Sequence, residues 1–179
     1  MTDADQFEAF VRRFQDMVFA TAVRLLGSKV EAEDVAQIVF LKAFQRFDEI
    51  SASPAAAGWL RAVTRNACLN HLSRYRKRWR FFSELGGPDT DDGGSDYGLV
   101  AKDSPELEME QADQRERLER ALRRLPEHQR VPLVLFHFED MRYQDIAAAL
   151  GVSLGKVKTD IHRGRDALRK ELATDYASH

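Results

Sequence analysis

Between Ser83 and Ser104 the chain stops repeating. On either side of this stretch apolar residues recur every three or four positions; within it they do not. Gly86-Gly87-Pro88-Asp89 and Asp91-Asp92-Gly93-Gly94 supply turn and linker chemistry instead. So little apolar surface is available there that burial does not offset the entropy of ordering the backbone. A chain of 179 residues interrupted in this way is not expected to form one core. Two small modules, residues 1–82 and 105–176, are expected, joined by a flexible acidic linker at 83–104.

Both modules carry the helical period and neither shows a useful strand alternation, so the expected fold class is all-α. Phe7, Phe10, Val11, Phe14, Val18, Ala22 and Leu25 form one helix face closed by Gly27. Ser28, with Glu31 three residues on, has the pattern of a capping box opening a second helix. Val35, Ile38 and Val39 form its expected buried stripe, with Phe44 and Phe47 near its end. Ser53 is a candidate cap and Pro54 a first helical residue for a third helix. That helix runs through Trp59, Leu60, Val63 and Ala67 to the basic end Arg74–Arg80. In the second module Ser104-Pro105 is the expected start, and Leu118, Ala121, Leu122 and Leu125 mark a helix that stops at Pro126. Val131, Val134, Leu135 and Phe138 mark another, in which Pro132 removes one backbone hydrogen bond and predicts a kink or a short start.

The net charge, −2 from 27 basic and 29 acidic residues, argues against a nucleic-acid partner only until the charges are located. Residues 61–80 hold 7 basic and no acidic residues, residues 81–113 hold 10 acidic and one basic, and residues 151–170 hold 6 basic and 2 acidic. Two basic blocks flank an acidic one, and such blocks decide partners more than the total does. The single cysteine, Cys68, excludes an internal disulfide and a Cys-rich zinc site, and is read as a small core residue. No apolar run approaches the roughly 18 residues of a membrane span, and the acidic start is not a secretory signal. The location these features predict is cytoplasmic.

The sharpest motif lies in Tyr143–Leu168. Tyr143–Leu150 reads as a short amphipathic helix, Gly151-Val152-Ser153 as a turn, and Ser153 as the cap of the next helix. Ala147, Gly151 and Val157 stand at relative positions 0, 4 and 10. A helix-turn-helix needs a small residue for close approach, a glycine to turn the chain and an apolar residue to pack the second helix back. The outward face of that second helix is expected to carry Lys156, Lys158, Thr159, His162, Arg163 and Arg165. Long donors on a helix that fits the major groove suit base and phosphate contact.

At this point the residues resemble a family. Glu33–Phe44 and Trp59-Leu60-Arg61-Ala62-Val63-Thr64-Arg65-Asn66 are similar to region 2 of the extracytoplasmic-function (ECF) sigma factors, small members of the sigma-70 class. Leu125-Pro126-Glu127-His128-Gln129-Arg130, Tyr143-Gln144-Asp145-Ile146-Ala147, Gly155–Thr159 and His162-Arg163-Gly164-Arg165 are similar to region 4. The resemblance covers both modules, in order, around the acidic stretch. It implies a bacterial promoter-specificity subunit of RNA polymerase that docks on the β′ clamp coiled coil and the β flap. It places Asp34, Gln37 and Phe40 at the clamp. It assigns the promoter −10 element to Arg61, Arg65, Asn66, Asn70, Arg74, Arg76 and Lys77, with Asn66 offering donor and acceptor to a flipped base, and the −35 element to the second helix of the helix-turn-helix. It implies an anti-sigma factor as a further partner and a role in stress response.

Three positions stay open. Trp59 is either core or a stacking platform. Asp160, where the family commonly has arginine, either accepts from a cytosine or pairs with a neighbouring Arg, while Lys156 replaces a common threonine. The linker is either a solvated tether or a mimic of nucleic-acid charge in the polymerase channel. Two readings from other classes compete. An enzyme is disfavoured: the five histidines are scattered, His137-Phe138-Glu139-Asp140 lacks a second histidine at ligand spacing, and no phosphate loop or nucleophile context occurs. No metal or cofactor is expected. A helix-turn-helix regulator acting without polymerase explains Tyr143–Leu168 and leaves the first module unexplained.

Overall fold

A computed structural model describes residues 2–73 and 108–177, and side-chain surroundings for 2–73 and 111–174. Helix is the only regular structure among the described residues. The chain forms two compact units, Met1–Trp79 and Arg80–His179.

In the first unit α1 spans Asp3–Leu26, α2 Lys29–Gln45, α3 Phe47–Ile50 and α4 Ala56–His71. A reciprocal capping box opens α1: Asp5 N–H donates to Thr2 Oγ1 (3.2 Å) and Thr2 N–H donates to Asp5 Oδ2 (3.1 Å). The side-chain hydrogen bond from Thr2, with the backbone one beside it, holds the Asp5 carboxyl below its ordinary value. Gly27 ends α1 at φ 69°, in the left-handed region glycine enters at no steric cost. Ser28 Oγ then accepts from Glu31 N–H (3.3 Å) to start α2, so the two helices fold back on each other across two residues, Gly27 and Ser28.

The core between α1, α2 and α4 is built on Phe14, Val18, Ala22 and Leu25 of α1, Val35 and Val39 of α2, and Leu60 and Cys68 of α4, all buried. Each large apolar side chain removed from water here contributes about 1.5–3 kcal/mol. Ile38 does not join them: it is 48% exposed. The buried row runs Ala32, Val35, Val39, Ala43 at spacings of three and four, and Ile38 lies a position off it. At about 3.6 residues per turn that single position turns the side chain out of the core. Phe44 also stays 58% exposed while packing edge-on against Phe7, ring centroids 5.1 Å apart.

Two boundaries differ from expectation. The chain after Gln45 turns through the four-residue α3 before the break, and α4 starts at Ala56 rather than Pro54. Ser53 serves a turn ahead of α4 instead of capping it: its Oγ accepts from Ala55 N–H (3.1 Å) and its carbonyl from Ala56 N–H (3.2 Å). The basic end Arg74–Arg80, the acidic stretch 83–104 and the start at Ser104-Pro105 lie outside the described residues.

In the second unit α5 spans Glu108–Arg124, α6 Glu127–His137, α7 Tyr143–Leu150 and α8 Leu154–Ala177. Pro126 separates α5 from α6, and buried Arg130 spans the joint by donating from Nη1 to the Leu125 carbonyl (3.0 Å). α6 runs on through Pro132 to His137. Leu122, Val131, Leu135, Ile146, Val157 and Ile161 form the core, with α8 packed on the other three helices.

Candidate nucleic-acid interface

The helix-turn-helix rests on four local contacts. Gly151 takes φ 67° and its N–H bonds to the Ala147 carbonyl; Val152 N–H reaches the same oxygen at 3.1 Å. Ser153 Oγ accepts from Lys156 N–H (3.1 Å), capping α8, and Val157 is 1% exposed against the core. The turn is therefore set by its own backbone bonds, and Val157 fixes how α8 rotates about its axis.

That rotation sorts the six residues expected to face outward. Lys158, His162 and Arg163 are exposed and Thr159 is half-buried at the edge of the same face. His162 Nε2 lies 3.6 Å from Asp166 Oδ2, one turn along α8. Lys156 and Arg165 do not belong to this face. Lys156 curls back one turn, and its Nζ lies 2.6 Å from Asp160 Oδ2 with the two side chains only 10% and 9% exposed. Asp160 thus pairs with a lysine of its own helix, rather than with an arginine. Arg165 donates from Nε to His137 Nε2 (3.1 Å) and lies over the Phe136 ring at 5.7 Å, joining α8 to the end of α6.

Electrostatics around Asp160 reflect its depth. Burial pushes its carboxyl up from the ordinary value, against the hydrogen bond from Lys156 and the charges of Lys156, His128 and Arg163. His128, on the first turn of α6, is drawn down, chiefly by burial and further by Lys156 and Arg163, with Asp160 opposing. The same contact brings the backbones close: a Cβ on Gly164 would stand 3.1 Å from the Gln129 carbonyl oxygen.

In the first unit, Asn66 and Asn70 are exposed one turn apart on α4. Asn66 borders an open cleft of about 250 Å³ with Trp59 and Val63 of α4 and Lys42, Gln45 and Arg46 at the end of α2. Trp59 is half-buried and lines this cleft, so it is not a core residue. Arg61 is exposed and Arg65 half-buried on a neighbouring row, one turn apart. Arg74, Arg76 and Lys77 lie outside the described residues. On α2, Asp34 and Gln37 are exposed and Phe40 is half-buried at the flank.

The residues missed in the sequence share the exposed side of α2 with Asp34 and Gln37. Val30, Ile38 and Leu41 are 70%, 48% and 60% exposed, with Phe44 at one end. The available signal was an excess: α2 holds more large apolar residues than one buried row uses, and those at 30, 38, 41 and 44 fall off that row.

The Sigma-70 region 2 model matches residues 10–80 and the Sigma-70, region 4 model matches residues 115–168. The RNA polymerase sigma-H factor of Pseudomonas aeruginosa is 31% identical over 170 residues, covering 95% of this chain and 88% of that protein. The ECF RNA polymerase sigma factor SigW of Bacillus subtilis is 28% identical over 172 residues, covering 95% and 90%. A solved structure of the sigma factor RpoE in complex with the anti-sigma factor NepR from Bartonella quintana aligns with 94% of this chain and 98% of that one, at 24% identity and a TM-score of 0.48.

Proposed function

The chain belongs to the extracytoplasmic-function sigma factors of the sigma-70 family, and from that premise we propose how its two units divide the work of a promoter-specificity subunit. It binds core RNA polymerase and directs initiation at promoters it selects. The observation that carries this reading is the pairing in one chain of a region 2 helix with an exposed apolar strip and a region 4 helix-turn-helix with an exposed basic face.

Residues 1–82 hold the polymerase-docking and −10 functions. Val30, Ile38 and Leu41, on the exposed side of α2 with Asp34 and Gln37, dock on the β′ clamp coiled coil; Phe40 supports them from its half-buried flank. An anti-sigma factor has to cover the same strip to block docking. The cleft beside Asn66 receives an unstacked −10 base, with Trp59 as a wall and Lys42 and Arg46 near the strand's phosphates. Asn70, Arg61 and Arg65 extend this surface, as do Arg74, Arg76 and Lys77 beyond it in sequence. Residues 105–176 read the −35 element through Lys158, Thr159, His162 and Arg163. A groove of about 160 Å³ walled by Leu118, Leu122, Leu133, Phe138, Leu168 and Leu172 supports docking on the β flap. Residues 83–104 connect the two.

Bond making belongs to the polymerase, so no residue of this chain is assigned a catalytic role and the protein is not an enzyme. Its place of work is the bacterial cytoplasm; no helix among the described residues is long and apolar enough to cross a membrane. The deciding experiment is reconstitution. The purified chain should co-elute with core polymerase and initiate from discrete sites, mapped across the genome after overexpression. Loss of both sinks the reading, and duplex binding surviving alone would point to a regulator that acts without polymerase.

A further inference from the structure

Of the four charged side chains in the first ten residues of α8, two face each other and not the solvent. Lys156 Nζ and Asp160 Oδ2 are 2.6 Å apart, and neither side chain is more than 10% exposed. The pair is a poor stabilising device. Burying two charges costs more than their attraction reliably returns, and a lysine placed four residues before its acid is the weaker order along a helix. By the resemblance to the ECF sigma factors, both residues also stand where threonine and arginine are common. A paired departure that does not favour stability calls for another account.

We propose that Asp160 is a specificity-determining residue that acts by withholding Lys156 from DNA. Lysine carries a long flexible stem and readily brings its ammonium to water, and at position 156 it stands one turn before half-buried Thr159 and two turns before exposed Arg163. Left unpaired it would swing onto a phosphate. Such a contact strengthens binding to every sequence alike and carries no base information. Asp160 holds the ammonium inward, where Val157 and Ile161 fix the helix against the core on its buried side. His128 of α6 and Arg163 of α8 are the other charged or titratable groups around the carboxylate. Readout then falls to Lys158, Thr159, His162 and Arg163.

The inference rests on α8 reading duplex DNA, and the test separates the two. Wild-type holoenzyme first selects a preferred site from a randomised duplex pool. Affinity for that duplex and for a scrambled one is then measured against salt. Asp160→Asn should tighten binding to the scrambled duplex, lower the preference ratio, and steepen log K against log salt by about 0.9, the signature of one added phosphate contact. Lys156→Met should leave the wild-type slope unchanged, and in Lys156→Met/Asp160→Asn the steepening should vanish. An unchanged slope in Asp160→Asn, a steepening that survives in the double variant, or a slope shallower by about 0.9 in Lys156→Met overturns the proposal alone. The last measurement stands even where Asp160→Asn does not fold. A wild-type holoenzyme that selects no duplex overturns the reading of α8 and the proposal with it.

Discussion

Helices α2 and α8 break opposite rules. α2 turns Val30, Ile38 and Leu41 to solvent, while α8 turns Lys156 and Asp160 away from it. On their inner faces both helices follow ordinary patterning, with Val35 and Val39 buried on one and Val157 and Ile161 on the other. The difference teaches where each surface meets its partner. A helix that joins a protein keeps apolar area uncovered until the partner covers it. A helix that reads DNA has to limit its unspecific charge, because every added phosphate contact raises affinity for the wrong sites as well. Local rules fail most readily where function has its own demand.

The sharpest way to break the comparison is Leu41→Asp. Leu41 is 60% exposed, so the change should move thermal stability by no more than about 0.5 kcal/mol. Placed at the centre of a docking strip, it should weaken core polymerase binding by about 2 kcal/mol or more, roughly thirtyfold. Co-elution and a titration with core enzyme measure the loss, and a thermal melt checks the fold. Retained binding would make the strip an unremarkable surface and leave α8 alone in breaking rules.

The comparison also separates basic residues on α8 itself. Arg163→Ala and Lys158→Ala should each weaken binding to the selected duplex by about 1–3 kcal/mol where they read base edges. Equal losses on selected and scrambled duplexes would reduce them to phosphate contacts. Arg165→Ala should behave differently: it removes the bond to His137 and the contact with Phe136, so its loss should register in the melt before it registers in the preference ratio.

Those contacts mark the limit of what was legible in the sequence. The helical rows, Gly27 and Gly151 as stops, Ser28 and Ser153 as caps and the position of Val157 all follow from local spacing, because each depends on bonds within a few residues. Lys156 and Arg165 did not, though both lie in a basic run. Whether a long cation reaches out or curls back depends on what stands beside it. For Arg165 that neighbour, His137, is 28 residues away in sequence; for Lys156 it is an i+4 acid whose burial is imposed by α6. Ile38 failed for the converse reason. Its apolar chemistry was plain, but one position of rotation separates core from surface. The cleft at Asn66 needed α2 and α4 side by side before Trp59 could be placed as a wall.

Titration probes the buried side of the comparison. His128 has its proton affinity lowered in the fold, so its contribution to stability is present above the ordinary histidine range and lost as pH falls through the lowered value. Asp160 has its affinity raised, so its contribution is present at the acid end, below the ordinary carboxylate value, and is lost as pH rises through the raised value. Acidification just below neutrality should therefore lower the melting temperature of the second unit through His128, and His128→Gln should flatten that slope. Asp160→Asn should instead remove a dependence of the opposite sign. On acidification the His128 loss and the Asp160 gain oppose each other, so only melts that are flat in the wild type, in His128→Gln and in Asp160→Asn alike would mean that neither group is held as deeply as the packing of α6 on α8 requires.

Two helical glycines offer the finest test of which surfaces are constrained from inside the chain. Gly58, in the first turn of α4, has nothing within 4 Å of where a Cβ would stand. Gly164, on α8, would set a Cβ 3.1 Å from the Gln129 carbonyl oxygen and 3.5 Å from its Cβ. Neither has a left-handed φ, so alanine gains the same helix propensity at both, about 0.5–1 kcal/mol. Gly58→Ala should deliver that gain in full as a higher melting temperature. Gly164→Ala should deliver less, because part of it is spent moving the α6 backbone by a few tenths of an ångström. That backbone carries His128 and faces the Lys156–Asp160 pair, so the shortfall measures how firmly α6 presses on the reading helix. Equal gains at the two sites would mean that α6 yields freely, and the rotation of α8 would then rest on Val157 and Ile161 alone.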